Sequence, residues 1–266
     1  MLDPGRGRTK TGQLWAYARD DRPWGGPAPP LVAYVYAPDR KAERPATHLE
    51  GFRGIPQVDG YGGYRKLAER GHVQLAFCWA HVRRRFYEIA AAGDAPIATE
   101  ALARIAELYA IEAEIRGRLP DERRAARQER AKPAVDNLKA WFETKLAMVS
   151  QKSTIAEAIR YALTRWEGLC CFIEEGRVEI DSNVVERAIR PLALNRKNAL
   201  FAGSDGGGEH WAILASLIET CKLNNLNPET YLADVLTRLV VGHPVNRLDE
   251  LLPWNWAKAR QSQRAA

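Results

Sequence analysis

The sequence is poor in cysteine: among 266 residues there are only Cys78, Cys170, Cys171 and Cys221. They make no CxxC pair and no regular framework, which argues against a disulfide-stapled scaffold and fits reduced thiols in a cytosolic protein. The adjacent Cys170 and Cys171 read as small buried side chains. The five histidines (His48, His72, His81, His210, His243) are scattered without ligand spacing. No Ser-His-Asp arrangement is legible. No signal peptide opens the sequence, and no apolar run reaches membrane-spanning length. Repeats and long low-complexity tracts are absent too. What is present is enough apolar content for a real core, and a length that fits one large domain or two small ones. A net charge of +6 is compatible with an anionic partner without requiring one.

Patterning divides the chain. After a turn-rich basic start, Gln13 to Arg19 alternates as a strand. Asp20 to Pro30 is a Gly/Pro-rich turn, and LVAYVYA (31–37) is a second strand, so the pair reads as a long-looped hairpin. Thr47 to Phe52 reads as a short helix and Gly54 to Val58 as a short apolar strand. Helix follows from Tyr64, a buried strand spans Val73 to Phe77, and the next helix carries His81 and Arg83 to Arg85. This strand-and-helix order is an α/β pattern. From Pro96 the composition turns to Ala, Glu, Arg and Leu at helical spacing, with helices over Ala98–Arg118, from Asp121 past Trp141, and within Lys152–Cys171. Val178-Glu179-Ile180 reads as a short extended piece and AGSDGGG (202–208) as a small-residue loop. Helices follow over Glu209–Leu223 and Pro228–Leu239, the second N-capped by Asn227. The polar end after LDELLPWNW reads as disordered.

Two acids stand out. Asp59 follows a predicted strand and precedes glycines, a position where α/β sheets gather ligands, although an Asp there also caps turns. Glu186 lies in NVVERAIRP (183–191), within a basic patch formed with Arg187, Arg190, Arg196 and Lys197. Glu186 and Arg190 are i,i+4 neighbours, which serves either an ordinary ion pair or a cation held between acid and base. Asn183 three residues before Glu186 has capping-box spacing, and Asp181 caps equally well. A carboxylate among phosphate-seeking side chains suits metal-assisted phosphodiester chemistry. Cys78 and His81 share a helix start, but two ligands do not complete a structural zinc site. Arg83, Arg84 and Arg85 face either solvent or phosphate. AGSDGGG lacks the Lys-Ser/Thr of a nucleotide-binding P-loop, so its glycines admit a phosphate backbone or only permit a turn.

Several long motifs in order carry a resemblance: KTGQLWAYARDDRPWGG, GIPQVDGYGGY, CWAHVRRRFYEI, IDSNVVERAIRPLALNRKNALFAGSDGGGEHWA, IETCKLNNLNPETYLADVL and HPVNRLDELLPWNW. They cover nearly the whole chain and resemble the C-terminal part of bacterial transposases of the insertion-sequence sixty-six family. The resemblance implies a DDE catalytic core of ribonuclease-H-like fold, interrupted by an α-helical insertion and followed by a helical C-terminal extension. It implies Mg2+ or Mn2+ held by Asp59 and Glu186, which match two of the three family acids. The first acid and its strand lie upstream of the KTG segment in the family, so this sequence reads as N-terminally truncated, lacking the first core strand. The organisation expected is a basic linker remnant at 1–12, core at 13–92, helical insertion at 93–171, core with Glu186 at 172–223, and a helical segment and tail at 224–266. The implied partners are transposon-end and target DNA, contacted by Arg83, Arg84, Arg187, Arg190, Arg196 and Lys197. Another copy of the chain or a full-length transposase is the implied protein partner. The implied location is the cytoplasm at the nucleoid, with no membrane role. Two functions compete: metal-dependent DNA cleavage and strand transfer, impaired in this chain, or a DNA-binding or regulatory remnant that no longer catalyses.

Overall fold

A computed structural model describes residues 2–3, 7–69, 71–198 and 202–265. The side chains of Leu2, Asp3, Arg8, Arg196, Lys197 and residues 263–265 are outside the described set. In chain order the elements are β1 (Leu2–Asp3), β2 (Arg8–Thr9), β3 (Gln13–Arg19), β4 (Leu31–Ala37), α1 (Glu43–His48), β5 (Gln57–Val58), α2 (Arg65–Ala68), β6 (Ala76–Phe77) and α3 (Trp79–Ala91). There follow α4 (Pro96–Ile115), α5 (Pro120–Ala126), α6 (Lys132–Met148), α7 (Thr154–Leu163), α8 (Trp166–Glu174), α9 (Asn183–Asn198), α10 (Asp205–Leu223), α11 (Pro228–Val240) and α12 (Pro253–Ala265). The fold is mixed α/β, mostly helical, with a helical C-terminal stretch. Its described strands pair as three two-stranded sheets. The chain divides into two compact units, one of residues 1–21, 27–44 and 184–266, the other of 22–26 and 45–183.

In the first unit β3 and β4 pair antiparallel over seven residues each, from Gln13 opposite Ala37 to Arg19 opposite Leu31. Alternation puts Leu14 and Ala16 of β3 beside Val32 and Tyr34 of β4, on a face packed against Ala188 of α9 and Ala212 and Ala215 of α10. Small residues on α10 let that helix come close: a Cβ on Gly208 would sit 2.8 Å from the Tyr36 ring. α10 then runs antiparallel along β4. Ser216 Oγ accepts from Tyr34 N at 2.8 Å, Thr220 Oγ1 accepts from Val32 N at 3.2 Å, and Asn224 Nδ2 donates to Pro30 O at 2.8 Å. The match is geometric. Four helical residues rise about 6 Å and two strand residues about 6.6 Å, so polar groups at i, i+4 and i+8 meet alternate strand residues.

A smaller cluster closes this unit's C-terminal end. Tyr231 and Trp256 pack edge to face, Tyr231 Oη donates to Leu251 O at 2.7 Å, and Trp256 Nε1 donates to Asp234 Oδ2 at 2.7 Å. The tail expected to be disordered is instead helical, because Pro253 starts α12 and Trp256 anchors it.

In the second unit β5 and β6 pair parallel, Gln57 with Ala76 and Val58 with Phe77, and a further bridge joins Gly54 to Val73. The core is built from α3 to α8. Trp79, Val82 and Phe86, at i, i+3 and i+7 of α3, face Ile105 and Leu108 of α4 and Phe142 of α6. Phe86 and Phe142 stack at 5.3 Å, with Trp166 edge-on to Phe142 at 6.1 Å. Truncating either phenyl ring to Ala removes about 3–5 kcal/mol.

Helix α5 runs into α6 through a π-helical turn at Arg127–Ala131. Pro133 explains it: proline cannot donate to the Glu129 carbonyl and its ring crowds that group, so the backbone widens. Arg127 on this turn is fully buried. Its guanidinium forks onto Glu112 at 2.7 and 2.6 Å and caps the end of α8 through Phe172 O at 2.8 Å and Glu175 O at 3.1 Å. Arg123, also buried, reaches both Glu112 and Glu179. The extended piece expected at Val178–Ile180 is therefore irregular: Glu179 is drawn to Arg123, and Ile180 O accepts from Trp79 N at 3.1 Å.

Candidate functional site

The candidate residues fall in both units. In the second unit β5 ends at Val58, and Asp59 follows with an exposed side chain. Its Oδ1 accepts from Tyr61 N at 3.0 Å, an Asx turn that fixes the carboxylate at the strand's carboxyl end. Gly60 has φ +86°, and a Cβ there would lie 3.0 Å from Arg165 Nε and 3.2 Å from Tyr161 Oη. Only glycine lets the loop pass this close with that backbone. The ring of Tyr161 carries two guanidiniums, Arg85 at 3.9 Å and Arg165 at 4.0 Å from its centre. Tyr161 and Arg165 escaped sequence reasoning because both read as ordinary helix residues. Arg83 and Arg84 are exposed on α3.

A buried polar cluster anchors the start of α3. Cys78 is 2% exposed, and its Sγ accepts from Ser182 N at 3.3 Å. Burial pushes the thiol's pKa up, but hydrogen bonds with His81 and Ser182 outweigh it, leaving the group below its ordinary value. Cys78 thus holds the segment that leads into α9. Burial and the nearby Asp181 raise the Tyr109 hydroxyl well above its ordinary range. Asp181 accepts from Asn183 N at 3.1 Å and from Asn183 Nδ2 at 2.6 Å, so it caps the entry to α9. The remaining thiols are free: Cys171 is buried as expected, Cys221 is buried too, and Cys170 is only half-buried. Burial pushes Cys170 up to about 12 and Cys221 up to about 11.

In the first unit Glu186 lies in the first turn of α9 and is half-buried, while Arg187 and Arg190 are exposed. Ala188 turns inward and its carbonyl accepts from Tyr34 Oη at 2.6 Å, which fixes the roll of the helix. That roll leaves the two arginines outward. Pro191 interrupts the helix ladder, since it cannot donate to the Arg187 carbonyl. The Arg196 and Lys197 side chains lie outside the described residues. The AGSDGGG segment is not a loop throughout. Ser204 accepts from Gly207 N at 3.2 Å and α10 starts at Asp205, so Gly206 to Gly208 form its first turn. Asp205 is engaged by Lys10 at 2.6 Å and by Tyr36 Oη at 2.5 Å, and those hydrogen bonds hold its pKa below the ordinary value.

Asp59 and Glu186 offer oxygen donors of the kind hard divalent cations take. Among the described residues no group of three His, Cys, Asp or Glu side chains gathers to hold a metal ion. No helix of the described residues is long and apolar enough to cross a membrane.

The "Transposase IS66 family" pattern matches residues 1–210, and the "IS66 C-terminal element" matches 216–254. The chain therefore belongs to the IS66 transposase family. It is similar to two Sinorhizobium fredii proteins described as uncharacterized. The protein y4qI is 49% identical over 262 residues, which is 96% of this chain and 49% of y4qI. The protein y4jD is 48% identical over 272 residues, which is 100% of this chain and 53% of y4jD. The chain thus spans about half the length of the curated relatives it matches. A shorter likeness, 54% over 39 residues, joins it to Escherichia coli YuaK, covering 15% of this chain and 42% of YuaK. No solved structure matches.

Proposed function

We propose that these residues belong to the DNA-cleaving and strand-transfer core of an insertion-sequence transposase, with Asp59 and Glu186 as two of its metal-holding carboxylates. One observation carries the reading: a single family match over 1–210 contains both acids, one at the carboxyl end of a parallel strand and one in the first turn of a helix flanked by exposed arginines. On this reading a ribonuclease-H-like core combines residues 13–92 with 172–223. The helical insertion is 93–171 and the helical extension is 224–266.

Asp59 and Glu186 would hold Mg2+ or Mn2+. Bound, the ion polarises a phosphoryl oxygen and lowers the pKa of an attacking water or hydroxyl. The protein's own part is placement and charge. Arg83, Arg84, Arg187 and Arg190, with Arg196 and Lys197, hold the phosphate backbone of transposon-end and target DNA and carry no base readout. The Asx turn at Asp59 and the Asp181 cap before Glu186 keep each carboxylate on a fixed backbone, as chemistry that depends on placement requires. Another copy of the chain, or a longer family member, is the protein partner, at the nucleoid.

The test uses the whole chain with Mg2+ or Mn2+ and DNA carrying the ends of its own element. Cleavage that Asp59→Asn or Glu186→Gln abolishes supports the assignment. Cleavage indifferent to both substitutions overturns it. DNA bound without cleavage by the unaltered chain carries the alternative, a regulatory DNA-binding role.

A further inference from the structure

One aromatic ring in the second unit carries two cations. The guanidinium of Arg85 on α3 lies 3.9 Å from the centre of the Tyr161 ring on α7, and that of Arg165 lies 4.0 Å from it. The two charges are no further apart than those distances together, and like charges this close repel. Among the described residues neither has a carboxylate within ion-pair reach. The Arg85 side chain makes no hydrogen bond there, and Arg165 uses only Nη1, which donates to Tyr161 O at 3.3 Å and Thr164 Oγ1 at 3.2 Å. Arg104, Arg130 and Arg177 of the same unit, by contrast, each meet a glutamate. Arg85 is exposed and Arg165 half-buried, so both guanidiniums reach solvent. Stacking on a ring uses the face of a guanidinium and leaves its in-plane N–H fork open. The pair is also pinned to the loop of a candidate acid. Gly60, the residue after Asp59, has φ +86°, and a Cβ on it would meet Arg165 Nε at 3.0 Å and Tyr161 Oη at 3.2 Å. All of these residues lie within 45–183, in one compact unit.

We infer that Arg85 and Arg165, held together on Tyr161, clamp one phosphate of the DNA strand presented to Asp59. The inference rests on the reading of this chain as a DNA-cleaving core, and it adds a built phosphate site to that reading. A single anion between the two cations removes their repulsion, and phosphate oxygens match the guanidinium fork. Tyr161 is the positioning residue. Its ring holds both forks in place before DNA arrives, so less side-chain freedom is lost on binding. Gly60 lets the Asp59 loop pass against the clamp, which sets the phosphate beside the acid rather than elsewhere on the helical unit.

The experiment measures binding of the whole chain to duplex DNA carrying the ends of its element, by fluorescence anisotropy with EDTA present so that no cleavage intervenes. Arg85→Gln and Arg165→Gln are each expected to weaken binding about tenfold and to lower the slope of log affinity against log salt by about one. Arg85→Lys and Arg165→Lys keep the charge and should restore the slope but only part of the affinity, since an ammonium lacks the fork. Neutralising the DNA phosphates one at a time as methylphosphonates should identify one position, near the element end, that weakens the unaltered chain about tenfold. On that DNA the glutamine variants should lose nothing more. Arg85 is exposed in the middle of α3, so Arg85→Gln decides if Arg165→Gln lowers the unfolding midpoint. The inference is overturned if the chain binds no duplex, if both glutamine variants bind like the unaltered chain, if lysine restores binding in full, or if no neutralised phosphate couples to Arg85. The metal assignment is tested apart from it. Arginine-dependent binding with cleavage indifferent to Asp59 and Glu186 removes the metal assignment alone. Cleavage that needs Asp59, with binding indifferent to both arginines, removes this inference alone.

Discussion

Thr220 takes the place of a neighbouring strand for Val32: one hydroxyl accepts from Val32 N at 3.2 Å and donates to Val32 O at 3.1 Å. Both groups are buried, so no water replaces the hydroxyl. Thr220→Val keeps the shape and removes both bonds, leaving two backbone groups unpaired. It is expected to cost about 2 kcal/mol, while Thr220→Ser costs less because the hydroxyl remains. Urea unfolding midpoints compare the two.

The Arg127–Glu112 fork sits in the core of the helical unit, with Arg127 fully buried. Removing one partner strands a charge. Glu112→Met alone is expected to destabilise by about 3–5 kcal/mol, whereas adding Arg127→Met recovers part of that loss, because Arg123 keeps Glu179 as its partner. A double-mutant cycle by chemical unfolding gives the coupling.

Asp39 governs part of the acid limb. Its hydrogen bonds from Arg44 lower its pKa from 3.8 to about 2. A carboxyl depressed in the folded state adds stability that is present above 3.8, fades as pH falls, and is gone below about 2. Asp39→Asn should therefore flatten the stability-versus-pH curve in that window and leave its shape above pH 5 unchanged, within roughly the limits of an exposed pair. Unfolding midpoints from acid to neutral pH check this.

Arg187 and Arg190 are exposed on the helix that bears Glu186. As phosphate contacts, each replaced by Ala should weaken DNA binding about equally on element ends and unrelated duplexes. Each should also lower the slope of log affinity against log salt by about one. A loss confined to one sequence contradicts the role.

Local signals carried well in this sequence. Alternation placed β3 and β4 at Gln13–Arg19 and Leu31–Ala37, and Asn227 caps α11 by accepting from Thr230 N at 2.9 Å. Signals set by distant partners did not. Gly206 to Gly208 look like a loop until Ser204 caps them into a helix and Tyr36 demands the room. Glu179 looks like part of a strand until buried Arg123 claims it, and Arg123 and Arg127 look like surface residues of a polar helix. The candidate acids were legible because motif and strand end coincide at Asp59 and helix start at Glu186. The guanidiniums stacked on Tyr161 were not, since only the folded chain brings Arg85 to α7.

The 188-residue separation between Val32 and Thr220 also sets an order of events on the ribosome. At about 5–20 residues per second, the hairpin waits roughly 10–40 s for the helix that shields it. Residues 45–183 are made wholly within that interval and can condense first, since their core draws on nothing later in the chain except its own segments. The nascent hairpin meanwhile lacks the α10 residues that pair the β4 edge and cover its apolar face.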